Sequence, residues 1–256
     1  VYSQNHDQIG NRMLGDRLST LVSFEQLKVV AALTLLSPFV PLLFMGEEYA
    51  ERAPFLYFVS HTDAALIEAV RRGRRDEFRA FGWDGDVSDP QDEQTFLRCK
   101  LQHDWRQPGA PRVMREFYQT LIRLRTTQPA LRCARAECVE VIGHDASRVL
   151  SIRRWYDDQQ LVLLAHLGDQ SSPVPLELPL GAWQKQLDSA EARWQGPGSA
   201  VPAAVSVEST PAVRMAPWSC VLLSGTGHTR VASASSDAHE PRDDRARISS
   251  STDRRA

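Results

Sequence analysis

The hydrophobic rhythm of the chain changes near its midpoint, from helical spacing with two short apolar strands to a run of short alternating segments. Tyr2 to Asp7 reads as a strand that closes on polar residues. Ser23, Phe24, Glu25 and Gln26 then offer a capping box, in which Ser23 accepts from the amide of Gln26 and Gln26 reaches back. The spacing predicts a helix over Phe24–Leu36 that stops before Pro38, whose ring disfavours helical geometry at Ser37. Pro41–Met45 is a continuous apolar stretch of strand length, followed by Gly46, Glu47, Glu48 and Tyr49. Strand, helix, strand, with both strands ending on polar residues, predicts parallel strands covered by helices.

Further along, Asp63 to about Phe81 reads as a solvated helix with Thr62 or Asp63 as N-cap and Glu68 four residues before Arg72. A turn-rich loop from Gly82 to Pro90 leads to a helix predicted over Gln91–Trp105. Val113, Phe117, Leu121 and Leu124, joined by Met114, Tyr118 and Ile122, define an amphipathic helix over Pro111–Leu131. The periodicity then changes to short, β-branched or aromatic segments separated by Gly, Pro, Asp and Ser clusters. Val139–Ile142, Val149–Trp155, Leu161–His166, Val174–Leu178, Val205–Val207 and Trp218–Leu223 are predicted strands, with Tyr156–Gln159 as a hairpin turn. Short strands in succession predict an antiparallel β-sandwich. From Thr226 to Ala256, Ser, Arg and Asp dominate, which predicts disorder. The expected organisation is the C-terminal part of a barrel over 1–134, a β domain over 135–225 and a tail over 226–256.

Composition narrows the function classes. With 256 residues, 42 % hydrophobic content and a formal net charge of −2, the chain can bury a sizeable core but has no long-range field to gather nucleic acid or anionic lipid. The longest apolar run, Val29 to Met45, is interrupted by Thr34, Ser37, Pro38 and Pro41, so no membrane span is predicted. Cys99, Cys133, Cys138 and Cys220 have neither zinc nor disulfide-framework spacing and read as free thiols of a cytoplasmic protein. Asp84, Asp86 and Asp89 lack the glycine and terminal Glu of a calcium loop, and no metal or cofactor is expected. Arg71, Arg72, Arg74 and Arg75 are flanked by Glu68, Asp76 and Glu77, which favours a solvated helix face or a place near a substrate cleft over nucleic acid.

The chemical signal lies at the two predicted strand ends. Asn5-His6-Asp7-Gln8 follows the first directly, and in a parallel barrel the carboxyl ends of the strands carry the active site. A carboxylate there can stabilise the positive charge of an oxocarbenium-like state. On residues alone, Asn5-His6-Asp7 reads equally well as a hydrogen-bonded strand end. Arg12 could orient Asp7 or a neighbouring carboxylate, or be an exposed loop residue. Glu47 and Glu48 read either as sugar contacts or as structural hydrogen-bond acceptors. Tyr49 and Phe39 could stack on a sugar ring, though core positions suit them better.

Gln4 to Arg12 and Pro41 to Tyr49 together resemble the seventh- and eighth-strand motifs of the α-amylase superfamily, in that family's order and spacing. Pro54–Phe58, His61-Thr62-Asp63, Val70–Arg75, Phe81-Gly82-Trp83 and Asp89–Asp92 resemble its trehalohydrolase branch. The resemblance covers Val1 to Leu131 in detail and the β domain in general character. It implies a (β/α)8 barrel contributing its last two strands and their helices, with Asp7 as the transition-state stabiliser. His6 would bind the same sugar, with Asn5, Gln8, Arg12, Glu47, Glu48 and Tyr49 as further substrate-binding candidates. It further implies a retaining glycoside hydrolase whose nucleophilic Asp and general-acid Glu precede Val1, so the chain alone would be inactive and poorly stable. The implied substrate is malto-oligosyltrehalose, cleaved at the α-1,4 bond beside its trehalose end, or another α-glucan. Two alternatives remain open at this level. One is a glycogen branching enzyme or other amylase relative; the other is a non-catalytic accessory fragment, which should carry an exposed row of aromatics among Trp155, Trp183, Trp194 and Trp218.

Overall fold

The structure is a computed structural model and describes residues 1–83, 85, 87–175, 178–207 and 212–226. The tail predicted over Thr226–Ala256 lies outside the described residues apart from Thr226, as do Asp84 and Asp86 of the rejected calcium loop and Leu176 and Glu177 of a predicted strand. Among the described residues no helix is long and apolar enough to cross a membrane.

Two short helices, α1 (His6–Gly10) and α2 (Leu18–Leu21), precede α3 (Phe24–Leu36). Helix α3 starts at the predicted capping box: Gln26 N donates to Ser23 Oγ at 3.2 Å and Ser23 N donates to Gln26 Oε1 at 2.8 Å. It ends at Ser37, held extended (ψ 161°) ahead of Pro38. Helix α4 (Ala64–Ala80) is capped by Asp63, which accepts from Leu66 N at 2.8 Å, and buries only Phe78. Its Arg72 and Arg75 are exposed, but Arg71 pairs with Asp89 at 2.7 Å and Arg74 donates to Gly10 O at 2.8 Å while lying over the Tyr57 and Phe78 rings. Helices α5 (Glu93–Arg98), α6 (Ala110–Thr127) and α7 (Pro129–Arg132) follow.

Two helix predictions need correction. The helix expected over Gln91–Trp105 is confined to α5, because Gln102 N donates to the Glu51 carboxylate at 2.8 Å and His103 adopts a left-handed backbone (φ 58°). The helix expected over Pro111–Leu131 breaks at Gln128 (ψ 117°), since Pro129 disfavours helical geometry in the residue before it. Neither predicted parallel strand forms as a strand. Val1 N donates to Val40 O at 2.7 Å and Leu42 N donates to Val1 O at 2.8 Å, which is one bridge of the parallel pattern. No ladder continues from it, and by His6 the chain is already helical. The described residues therefore do not show a barrel.

The second half is all antiparallel. Strands β1 (Val139–His144), β2 (Val149–Tyr156), β3 (Gln159–His166), β5 (Gly181–Asp188), β6 (Ala204–Val207) and β8 (Cys220–Thr226) form one sheet in the order β1-β2-β3-β8-β5-β6. Strands β4 (Ser172–Pro175) and β7 (Ala212–Met215) form a second. The β2–β3 hairpin closes at the predicted turn, Tyr156 opposite Gln159, with Asp157 at φ 51°. Strands β5 and β7 escape the sequence reading: β5 carries Gln184, Lys185 and Gln186 on a central strand, and β7 is four residues long. Trp218 belongs to a turn (φ 47°) rather than to β8.

Alternation on β3 and β8 explains their unbroken apolar runs. Leu161, Leu163, Ala165, Cys220 and Leu222 face a core shared with α3, α6 and α7, including Leu35, Phe117 and Leu121. Val162, Leu164, Val221 and Leu223 face the other way, against Val174, Val213 and Met215 of the two-stranded sheet. Both faces are buried, and each fully buried Leu or Phe contributes about 1.5–3 kcal/mol. Helices and sheet thus share one core, pinned by Lys28, whose ammonium is fully buried and donates to Ser189 O at 2.7 Å and Trp194 O at 3.0 Å.

Candidate functional site

Asn5 is the N-cap of α1: its extended backbone (φ −146°) lets Oδ1 accept from Gln8 N at 2.9 Å. The cap presents the next two side chains outward, where His6 Nε2 lies 3.1 Å from Asp7 Oδ1 and the two are 69 % and 71 % exposed. Gln8 is exposed beside them. Arg12 turns to Asp16, with Nε 3.3 Å from Oδ2, so the carboxylate it orients is that neighbour. Hollows of about 530 Å³ beside Arg71 and Asp89 and about 510 Å³ beside Phe58 and Phe96 lie elsewhere, and His6 and Asp7 line neither.

Beneath this surface lie buried polar groups, most of them hydrogen-bonded. Gly46, at φ 88°, turns the chain into a single 3₁₀ turn, Glu47–Tyr49, and a Cβ there would lie 2.7 Å from Glu51 Cβ. Glu47 and Tyr49 point inward, Glu48 is half-buried and Phe39 is 59 % exposed, against its expected place in the core. Glu47 accepts from Ser3 Oγ at 3.4 Å, Gln4 Nε2 at 3.5 Å and Tyr118 Oη at 3.5 Å. Gln4 also accepts from Leu18 N at 3.0 Å, which ties the segment leading to Asp7 to both α2 and the Gly46 turn. Burial pushes the Glu47 carboxyl above its ordinary value, with hydrogen bonds only partly offsetting it.

A second buried pair braces the same turn. Arg17, 1 % exposed, donates to Ala53 O at 2.6 Å and Met45 O at 2.7 Å and covers the Phe44 ring. Its burial lowers its pKa, countered by the nearby Glu51 charge. For Glu51, burial works to raise the pKa, but amides of Ala53, Gln102 and Arg52, each at 2.8 Å, hold the carboxyl below its usual range. Tyr49 lies with its hydroxyl 3.5 Å from His103 Nδ1, and burial followed by the Glu51 charge pushes its pKa up. Arg17 and Glu51 were not singled out in the sequence, and Tyr118 only as part of a helix's apolar face. Gly15 and Gly46 were the available signal, since Gly15 (φ 62°) also has no room for a Cβ, 2.7 Å from the Phe55 carbonyl carbon.

The Glu47 environment gives a pH test. The carboxyl titrates near 4.5 in the unfolded chain and higher when folded, so its contribution to stability is fully present below pH 4.5 and lost as pH rises through the folded value. Glu47→Gln should therefore gain stability relative to the parent at about pH 7, and the gain should shrink on acidification toward pH 4.5. Urea unfolding of both proteins across that range measures it; a difference independent of pH would refute the assignment.

Among the described residues no group of three or more His, Cys, Asp or Glu side chains could hold a metal ion. Residues 134–222 match a family described as a domain of unknown function, DUF3459. The malto-oligosyltrehalose trehalohydrolase of Rhizobium sp. (strain M-11) is 43 % identical over 183 residues, covering 70 % of this chain and 29 % of the relative. That of Brevibacterium helvolum is 49 % identical over 132 residues, covering 51 % of this chain and 22 % of the relative. A crystal structure of a putative alpha amylase from Salmonella typhimurium superposes with a TM-score of 0.69 at 32 % identity, over 88 % of this chain and 35 % of that one. The chain is similar to proteins of the α-amylase superfamily. Within it the similarity is to malto-oligosyltrehalose trehalohydrolases, and the chain spans roughly a third or less of their length. The alpha-amylase of H. orenii, at 16 % identity and a TM-score of 0.52, shares the fold alone.

Proposed function

We propose that these residues form the C-terminal part of a retaining glycoside hydrolase that cleaves the α-1,4-glucosidic bond beside the trehalose end of malto-oligosyltrehalose, releasing trehalose. The observation that carries the reading is the similarity to seven curated relatives with that name, at up to 49 % identity. In this reading residues 1–134 complete a (β/α)8 barrel and 135–225 form its β domain. Asp7 stabilises the oxocarbenium-like transition state and His6 holds a hydroxyl of the same sugar, a role that suits two accessible side chains carried on a capped turn. Gln8 and Glu48 reach the substrate from beside them. Asn5, Arg12, Glu47 and Tyr49 set the shape of the wall from behind, in keeping with the burial of Glu47 and Tyr49. The nucleophilic Asp and general-acid Glu, roughly 5–5.5 Å apart in retaining enzymes, come from polypeptide outside these residues. The four free thiols suit a reducing, cytoplasmic setting.

Incubating the full-length protein with malto-oligosyltrehalose should release trehalose with no new α-1,6 linkages. Branch formation on a linear α-glucan without trehalose release would instead establish a branching enzyme. Of the four tryptophans that the accessory reading would array on one exposed face, Trp183 and Trp194 are buried in two different cores and Trp155 and Trp218 are half-buried.

A further inference from the structure

Among the clustered arginines of α4, one crosses to the helix that carries His6 and Asp7. Arg72 and Arg75 are exposed and Arg71 turns to Asp89, whereas the Arg74 side chain is 12 % exposed and reaches the far end of α1. Its Nη2 donates to Gly10 O at 2.8 Å and its Nη1 to Asn11 Oδ1 at 3.3 Å, so one planar fork serves both acceptors. The positive charge also complements the C-terminal end of a helix, where the last carbonyls lack partners within the helix. The fork is itself held in place. Nη1 donates to Glu77 Oε2 at 2.7 Å, and the guanidinium carbon stands 4.9 Å from the centre of the Tyr57 ring and 4.6 Å from that of Phe78.

Two hydrogen bonds lead from this fork to the backbone of Asp7. Asn11, which accepts Nη1 on its side chain, donates its amide to Asp7 O at 3.2 Å. Helix α1 has five residues, too few to hold a helical geometry unaided in water, so contacts from outside must fix it. Asn5 caps its first end, Ile9 and Gly10 are buried, and Arg74 grips the second end. The Asp7 side chain has the exposed His6 as its ionic neighbour, so its placement follows the α1 backbone.

We propose that Arg74 is a positioning residue, which sets where the Asp7 carboxylate stands against the substrate by gripping Gly10 and Asn11 at the end of α1. This rests on the reading of Asp7 as the transition-state stabiliser. A stabilising charge works only when correctly placed against the charge that develops, and a displacement of about 1 Å costs on the order of a hundredfold in rate. Lys is no substitute for Arg here. A point charge on a flexible stem lacks the rigid fork that serves both acceptors and the flat face that stacks on the rings.

The test is steady-state kinetics of the full-length protein on malto-oligosyltrehalose, with thermal unfolding measured beside it. Arg74→Met should lower kcat by about tenfold to a hundredfold with KM little altered. Arg74→Lys should recover little of that loss, and Arg72→Met should match the parent. Combined with Asp7→Asn, Arg74→Met should lower kcat by less than about threefold further, because the charge it positions is already gone. Unchanged kcat for Arg74→Met would overturn the proposal, even with a lowered Tm. So would full recovery by Arg74→Lys, or an undiminished loss in the Asp7→Asn background; each of these leaves the role of Asp7 standing. Parental turnover of Asp7→Asn alone would overturn both. Should Arg74→Met fail to fold, Asn11→Ala decides: at this exposed site kcat should fall several-fold with KM little altered, and a parental kcat would overturn the proposal.

Discussion

Replacing Asp7 by Asn in the full-length protein is expected to lower turnover on malto-oligosyltrehalose by on the order of a hundredfold or more, with thermal unfolding unchanged. The two halves of that expectation have separate causes. Stability is spared because the Asp7 side chain is 71 % exposed and its ionic neighbour, His6, is 69 % exposed, a surface pair that contributes little to folding. Asn keeps the size and the position on α1 while removing the charge. Turnover falls because a carboxylate that stabilises positive charge acts mainly in the transition state, so kcat and kcat/KM should drop together with KM little altered. His6→Ala should act more mildly, because it removes a sugar contact made in the ground state as well. Turnover of the Asn variant within a few-fold of the parent would remove Asp7 from the mechanism, whatever the substrate proves to be.

Lys28→Met is expected to destabilise the protein by about 3–5 kcal/mol, the cost of breaking a buried charged group's contacts from one side. Met nearly matches Lys in volume, so the effect is one of unpaired groups and not of a cavity. The Ser189 and Trp194 carbonyls lose their donor at sites where Ser189 is fully buried and Trp194 is 5 % exposed, leaving no room for water. Glu25, the ionic partner at 2.8 Å, meets Lys28 through a buried Oε2, and Glu25→Gln leaves the two carbonyl acceptors of the ammonium in place, so it should cost less than Lys28→Met. Denaturant titration of the two variants side by side measures the difference. Equal losses would place the stabilisation in the ion pair and not in the carbonyl cradle that joins α3 to the β-sheet.

Where local chemistry decides structure, the sequence was legible. The Ser23–Gln26 box and Pro38 bound α3 because a cap and a proline act on adjacent backbone whatever lies beyond. Short β-branched or aromatic runs between turn clusters located β1, β2, β3 and β8, and the Tyr156–Gln159 hairpin followed from two turn residues between apolar runs. Asn5-His6-Asp7 drew notice by residue type. The sequence could not reveal that Asn5 spends its side chain on the α1 cap, which is what turns His6 and Asp7 outward.

Tertiary structure alone decided the rest. Strand β5 reads as polar because Gln184, Lys185 and Gln186 sit in a strand defined by its ladder to β8, formed across a long separation in the chain. The helix expected after Gln91 stops at Arg98 because the distant Glu51 carboxylate takes the Gln102 amide. The Val1 and Pro41 segments make one parallel bridge, since a ladder needs successive paired groups and a helix begins at His6. Of the buried groups around the Gly46 turn, Glu47 was legible as a structural acceptor and Tyr118 as part of the apolar face of α6. Gln4, Arg17 and Glu51 were not, because each is an ordinary surface type until folding removes its water and brings hydrogen-bonding partners or charged neighbours from elsewhere in the chain.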